Sequence, residues 1–546
     1  MNSENNNTRE LQKLVEEFLA WKIKNNPTMS TMYGYNDYNG ELEDFSLMEQ
    51  SLEELKRFNR ELDTLPINLI EDLDSQIDYE LLRRDIENNI RVIEKFEPHI
   101  LDPCTYSDLA LQSISLLNNR EDLSLEEKTG FIIKRMSKIP DLLLYGMKRL
   151  NNPPKSFVEA AINSCHGGDL FLPNLVSALE KEFSPFSEEL NSKKNKLLEC
   201  LEEYRLFLQK NFADSTGEYA VGKELFDELL WKDYMLDYNS KEVLEIGEEI
   251  FRKTQKQLQK LASRLDPHKS WKDLYFNVRL KHPEPEKIVE TYAFYMEKAK
   301  RFVVEKDLMD IPLNEDVVVK PSPEFMRMIM PTAAYNPPAL LQKFKRGIFM
   351  VTPVDTEGPP DKVEAHLRDH NIAEIITTTL HEAYPGHHLQ LTYASRHPGL
   401  MRRHVFTPIF AEGWALYCEQ LMQDYGYFDD PLVELCCLRR VLWRALRVII
   451  DVSLHTRGMT IDEGVKLMVE ELLFSEGSAR GEVIRYTMMP TQPLSYLTGK
   501  LELLKIREEY QKMKGENYSI KKFHQDLLSC GTLPIRLLRK ALLSEK

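Results

Sequence analysis

Three imidazoles and a carboxylate fall within eight residues of the run Leu380-His381-Glu382-Ala383-Tyr384-Pro385-Gly386-His387-His388. Imidazole and carboxylate are the ligand types zinc prefers, and a further carboxylate beside such an ion is a ready proton carrier. A second acidic motif, Ala411-Glu412-Gly413-Trp414-Ala415, follows closely. Together they predict a His-His-Glu metal site with one position left for water.

The spacing departs from the familiar zinc helix, in which two histidines lie four apart with a glutamate directly after the first. Position i+4 from His381 is Pro385, and the next histidines stand at i+6 and i+7. On an ideal helix His387 would point about 120° away from His381, and His388 would sit about 10.5 Å further along the axis. Proline lacks an N–H and clashes with the carbonyl four residues back, so Pro385 predicts a kink or bulge. Such a bend would absorb the extra residues, with Gly386 letting the backbone fold closely. His387 is therefore the expected second ligand and His388 the alternative; otherwise His388 is a substrate contact.

The elements that must position these groups are helical. Residues 371–389 read as one helix, with Ile372, Ile375, Ile376 and Leu380 on its apolar side. A second helix, from Ala411 to Asp424, carries Glu412 as the expected third ligand, with Glu419 as its competitor seven residues on. Glu382 is then free to act as base. On the apolar helix Val441 to Leu454, Arg447, Asp451 and His455 fall at i, i+4 and i+8. They read as a buried ion-pair ladder, or, for Asp451 and His455, as support behind the ligands or substrate contacts. The run Arg346-Gly347-Ile348-Phe349-Met350 is either a structural strand or an edge offered to an extended peptide.

Helical periodicity also marks residues 47–64, 78–95, 125–150, 192–212, 240–265 and 284–306, and a stripe of Leu11, Leu14, Val15, Phe18, Leu19 and Trp21. Between 307 and 360 the prolines and the β-like runs Val317–Val319 and Gly347–Val351 predict a small sheet with loops. Punctuation at Asn151–Pro154 and Asp214–Gly217 suggests a helical N-terminal lobe over 1–213 and a catalytic lobe over 214–546. A chain of 546 residues exceeds the usual size of one hydrophobic core.

The net charge of −16 argues against nucleic acid and anionic membrane as main partners. No apolar run is long enough for a membrane span. The polar start lacks a signal core. The seven cysteines are scattered and form no Cys-x-x-Cys pair, which fits reduced thiols and a cytoplasmic protein. Oligomeric state is left open.

Leu380–Gln390, Phe410-Ala411-Glu412-Gly413-Trp414-Ala415-Leu416-Tyr417, and Arg485-Tyr486, Pro490-Thr491-Gln492, Tyr496 and Gly499 together resemble family 885 of the domains of unknown function. The resemblance runs from about residue 10 to 540. Pro-Thr-Gln-Pro at 490–493 departs from the family's Pro-Gly-Gln-Ala and puts that loop's role in doubt. The family in turn looks like the helical metallopeptidases of the thimet oligopeptidase, Taq carboxypeptidase and angiotensin-converting enzyme type. There a glutamate ligand follows the second histidine by roughly 25 residues, which aligns His387 with Glu412. The resemblance implies a mostly helical, two-lobed shell around a deep channel with a small sheet beside the site. It implies zinc, one ion per chain, and peptide hydrolysis by an oligopeptidase or carboxypeptidase. It also implies Tyr496 as first choice of oxyanion donor, Tyr486 as second, and Arg485 near a substrate carboxylate. Manganese or cobalt could occupy the same ligands. The competing expectations are hydrolysis of a non-peptide amide or ester, and a purely structural metal with His388 closing the fourth position.

Overall fold

The computed structural model describes residues 4–322, 327, 330, 332–342 and 346–544. It is mainly helical, with one small sheet. Many helices begin where the chain supplies a side-chain cap. Ser124, Asn239, Ser270 and Thr460 each form a reciprocal capping box with the acid three residues on. The apolar stripes expected near the start and over 125–150 and 240–265 lie on the helices Glu4–Asn25, Leu125–Arg149 and Ser240–Leu265. No helix among the described residues is long and apolar enough to cross a membrane. All seven cysteines are buried free thiols.

Two hydrophobic cores form. One gathers side chains from Cys104 to Leu208. The other joins Leu11–Ile86 to Phe226–Leu542, so the first helices pack with the C-terminal half. The expected boundary near 213 lies between Leu208 of one core and Phe226 of the other.

The sheet has strands β1 (Asp316–Pro321), β2 (Ala333–Asn336) and β3 (Arg346–Val351), in the order β1-β3-β2. β3 pairs in parallel with β1 and antiparallel with β2. The Arg346–Met350 run is therefore the central strand. It cannot offer an edge to a peptide, because both of its hydrogen-bonding sides are taken. The free sides belong to the two outer strands, β1 and β2; periodicity alone did not reveal β2, which is four residues long and half-buried throughout.

The helix expected over 371–389 is broken in two. Asn371 caps its start by accepting from the Glu374 amide, and the first segment, Ile372–Glu382, ends at the residue after His381. The chain turns through Ala383–Gly386, with a cis bond at Tyr384–Pro385, and a new helix runs His387–Ser395. At Gly386 the backbone doubles back so closely that a Cβ would collide with the His381 carbonyl oxygen. Pro385 thus ends the helix outright instead of bending it, which its missing N–H and ring clash make physically natural.

Candidate metal centre

The turn brings His387 round to face His381. Their rings lie 4.8 Å apart, nearly perpendicular. Glu412, on the helix Pro408–Asp424, completes the group. Its Oε2 is 3.4 Å from His381 Nε2 and 3.4 Å from His387 Nε2. Those separations exceed a charge-assisted hydrogen bond of about 2.7–2.9 Å. They match the edge of a tetrahedron with metal–ligand bonds of about 2.0–2.2 Å, which is about 3.3–3.6 Å. Glu412 Oε2 is buried and has no hydrogen-bond partner, so the donor set fits a divalent ion. Burial alone would raise the Glu412 carboxyl, but the two imidazoles hold it well below the usual range, as a carboxylate. Burial would lower His387; the Glu412 carboxylate lifts it above its ordinary value instead.

Ligand-grade atoms of His381, Glu382 and His387 all lie within 4.8 Å of one another. Glu382 Oε2 accepts the Tyr335 backbone N–H at 3.0 Å, so β2 holds this carboxylate beside the imidazoles.

The partners behind these candidate ligands are as telling. His381 Nδ1 meets Glu419 Oε1 at 2.9 Å, and Glu419 is gripped by Arg440 through Nε at 2.9 Å and Nη2 at 2.8 Å. Glu419, the competing third ligand of the sequence reading, is thus the residue that orients His381. By taking the Nδ1–H it leaves the Nε2 lone pair directed at Glu412. Burial would raise the Glu419 carboxyl; Arg440 and His381 push it far down.

Glycine sets the remaining distance. A Cβ at Gly413 would run into Gly499, and a Cβ at Gly499 into the Ile409 carbonyl. The helices Pro408–Asp424 and Ser495–Lys514 therefore touch backbone to backbone, one residue from Glu412 and three from Tyr496. Trp414 Nε1 donates to the Pro385 carbonyl at 2.9 Å, tying the Glu412 helix to the turn.

The DUF885 match decides the family. Residues 27–542 match the family described as "Bacterial protein of unknown function (DUF885)". The chain is a DUF885 protein. No curated protein matches it. A solved structure titled "putative lipoprotein of unknown function" from Shewanella oneidensis is 22% identical with a TM-score of 0.80, covering 98% of this chain and 99% of that one. Another, titled "putative lipoprotein" from Colwellia psychrerythraea, is 18% identical with a TM-score of 0.82, covering 99% and 98%. At these identities the likeness concerns the fold of the DUF885 chain alone.

The other expected site residues of this DUF885 protein divide by position. Tyr496 is beside the centre: its ring stacks on His381 at 6.3 Å, and the Arg447 guanidinium lies 4.5 Å from its centroid. Burial and the Glu412 charge raise its pKa, which keeps the hydroxyl protonated. Tyr486 is fully buried, its hydroxyl held between Arg447 Nε at 3.0 Å and Glu482 Oε2 at 2.7 Å. Arg485 is partly exposed and bonds Gln492 at 2.9 Å and Glu482 at 3.2 Å.

His388 turns away from the centre. Its Nε2 meets Glu315 Oε2 at 2.6 Å and its Nδ1 the Tyr335 hydroxyl at 2.9 Å, so neither nitrogen is left for a metal. It is 1% exposed, which also keeps substrate from it. Glu315 receives Lys300 and the Tyr384 hydroxyl as well, both at 2.5 Å.

Of the ladder expected over Arg447, Asp451 and His455, only one step is present: His455 Nε2 lies 3.8 Å from Asp451 Oδ1. Arg447 pairs with Glu482 on another helix at 2.9 Å. Asp451 accepts the backbone N–H groups of Thr491 and Leu494, both at 3.3 Å, and so holds the loop that leads to Tyr496. His455 is 1% exposed with its Nε2 on the Tyr486 carbonyl at 3.0 Å, in the core and out of substrate's reach. Burial brings its pKa down to about 4.

Sequence reasoning missed Glu315, Tyr335 and Arg440. They stand far from the motif in the chain and belong to no recognisable spacing.

Proposed function

We propose that this protein is a zinc-dependent peptidase acting on short peptides, with His381, His387 and Glu412 as ligands and Glu382 as general base. The observation that carries the reading is the buried, unpartnered Glu412 oxygen, equidistant from two imidazole nitrogens at a tetrahedral edge length. A bound zinc ion would supply Lewis acidity, polarising the scissile carbonyl and acidifying water. Glu382 takes the proton from the attacking water and returns it to the leaving amine. The protonated Tyr496 hydroxyl donates to the developing oxyanion. Glu419 and Arg440 keep His381 in the tautomer that offers Nε2.

Peptide as substrate is supported by the sheet. The Tyr335 amide points away from β3 toward Glu382, so the outward side of β2 lies where an extended chain could add as a further strand. The finer parts of the metallopeptidase resemblance, a two-lobed shell and a deep channel, belong to the same proposal. So does a cytoplasmic setting, which seven free thiols support; the description as lipoproteins is that of the two solved relatives. A structural metal loses its specific argument, since both nitrogens of His388 are engaged.

The test pairs metal analysis with digestion of a peptide library by wild type and Glu382→Gln. The expected outcome is one zinc per chain in both, with turnover reduced about 10²–10⁴-fold in the variant. Equal turnover would remove Glu382 from the mechanism. A protein purified without chelator that carries no metal would defeat the centre itself.

A further inference from the structure

Three arginines share one face of the helix Pro431–Thr456, at positions 440, 444 and 447, which are i, i+4 and i+7. The outer two have acids. Arg440 grips Glu419 at 2.8 Å and lies 3.3 Å from Glu374, and Arg447 pairs with Glu482 at 2.9 Å. Arg444, between them, is 4% exposed and makes no hydrogen bond or ion pair with any described residue. Glu419, whose charge favours its cationic form, is already committed to Arg440 and His381. Burial and the flanking Arg440 charge draw Arg444 down to about 9, so it is still a cation at neutral pH.

The unmet groups of Arg444 have company. Arg444 Nε and Nη1, Arg447 Nη1 and Trp443 Nε1 are all buried without a hydrogen-bond partner. Both guanidiniums lie over the Trp443 ring, 4.5 and 4.3 Å from its centroid, and both border Tyr496, at 5.6 and 4.5 Å. Tyr496 in turn stacks on His381. Guanidinium and indole N–H groups only donate. A buried patch made solely of donors, one ring's width from the candidate centre, calls for an anionic acceptor. A carboxylate is the anion whose two oxygens match a guanidinium fork. At 4% and 5% exposure the two arginines form a closed end, which suits a chain terminus better than a side chain in mid-peptide.

We propose that Arg444 and Arg447 bind the C-terminal carboxylate of a peptide substrate, so that cleavage falls a fixed short distance from that end. This rests on the peptidase reading. It places carboxylate recognition on these two residues instead of on Arg485, whose guanidinium is occupied by Gln492 and Glu482. An extended residue spans about 3.3–3.6 Å, so one or two residues cover the width of the Tyr496 side chain between the centre and the arginines.

The test uses a mixture of tripeptides, each as free acid and as C-terminal amide. Equilibrium dialysis against the full chain carrying Glu382→Gln, read by mass spectrometry, should show free acids bound at least about tenfold more tightly than their amides, the effect of one charge-assisted hydrogen bond. Adding Arg444→Met should erase that preference with the circular dichroism unchanged, since Arg444 loses no hydrogen bond within the protein; Arg444→Lys should restore part of it. Equal binding of acids and amides, binding of neither, or a preference that survives in folded Arg444→Met would overturn the assignment. Equal binding that requires added chloride would overturn it too, by giving the forks to an inorganic anion. Should the methionine variant misfold, the acid–amide comparison without it still decides. Digestion of the same mixture by wild type separates the two proposals. Absence of cleavage with the binding preference intact defeats the peptidase reading and leaves the carboxylate site standing, whereas cleavage of acids and amides alike defeats the site and leaves the peptidase.

Discussion

His387 and His388 are neighbours in the chain with opposite surroundings. His387 faces His381 and a carboxylate oxygen that nothing else satisfies. His388, about 100° round the same helix, is closed on both sides by Glu315 and the Tyr335 hydroxyl at ordinary hydrogen-bond distances. One cluster is incomplete by 3.4 Å gaps between groups that all want a cation; the other is complete within the protein. Residue type does not separate a candidate ligand from a structural histidine. What separates them is whether the second ring nitrogen, and the acid opposite, already have partners.

The sharpest way to break this comparison is to exchange the fates of the two residues. His387→Ala should lose zinc to dialysis and with it turnover, while its unfolding in urea changes little when both proteins are metal-free. His388→Ala should keep zinc at one per chain, measured by mass spectrometry of the dialysed protein. A zinc-free His388 variant that still folds would mean the two roles are reversed.

The same His388 substitution should cost about 2–3 kcal/mol in urea unfolding. It strands the Tyr335 hydroxyl and removes one of three partners from buried Glu315. A smaller effect follows at Glu419. Replacing it with glutamine should weaken zinc about 10–100-fold in chelator competition, as loss of the group that orients a ligand does elsewhere. An unchanged affinity would make the His381–Glu419 contact incidental.

The mildest probe is pH. Burial would raise the Glu315 carboxyl, but His388, Lys300 and Tyr384 together bring it down to about 2. A depressed carboxylate contributes stability that is fully present above its unfolded value, about 4.3, and is lost as pH falls toward 2. In metal-free protein the unfolding free energy should therefore decline across that window, and less steeply in Glu315→Gln. Equal slopes would show that the network does not hold the charge.

Much of this architecture was legible in the residues. The amphipathic stripes gave the long helices, and the prolines of 307–360 marked the sheet region. The His381–His387–Glu412 set also came from residue type and spacing, with the resemblance agreeing. The spacing at Pro385 predicts a bend, whereas the broken helix lets His387 start afresh, so helical angles counted from His381 no longer apply. In the sequence Glu419 is a rival ligand, because an acid seven residues along looks much like an acid at the site; only its grip by Arg440 tells the two apart. Glu315 and Tyr335 gave no signal at all. Their contacts depend on how β2 and the segment before β1 are folded against the motif, and no local periodicity encodes that.

The meeting of Gly413 and Gly499 couples two neighbouring jobs mechanically. Any methyl group added at that crossing would pry the paired rods apart, carrying the acid at 412 and the phenol at 496 in opposite directions. A side chain of any size at that crossing is therefore the change the candidate centre could least absorb.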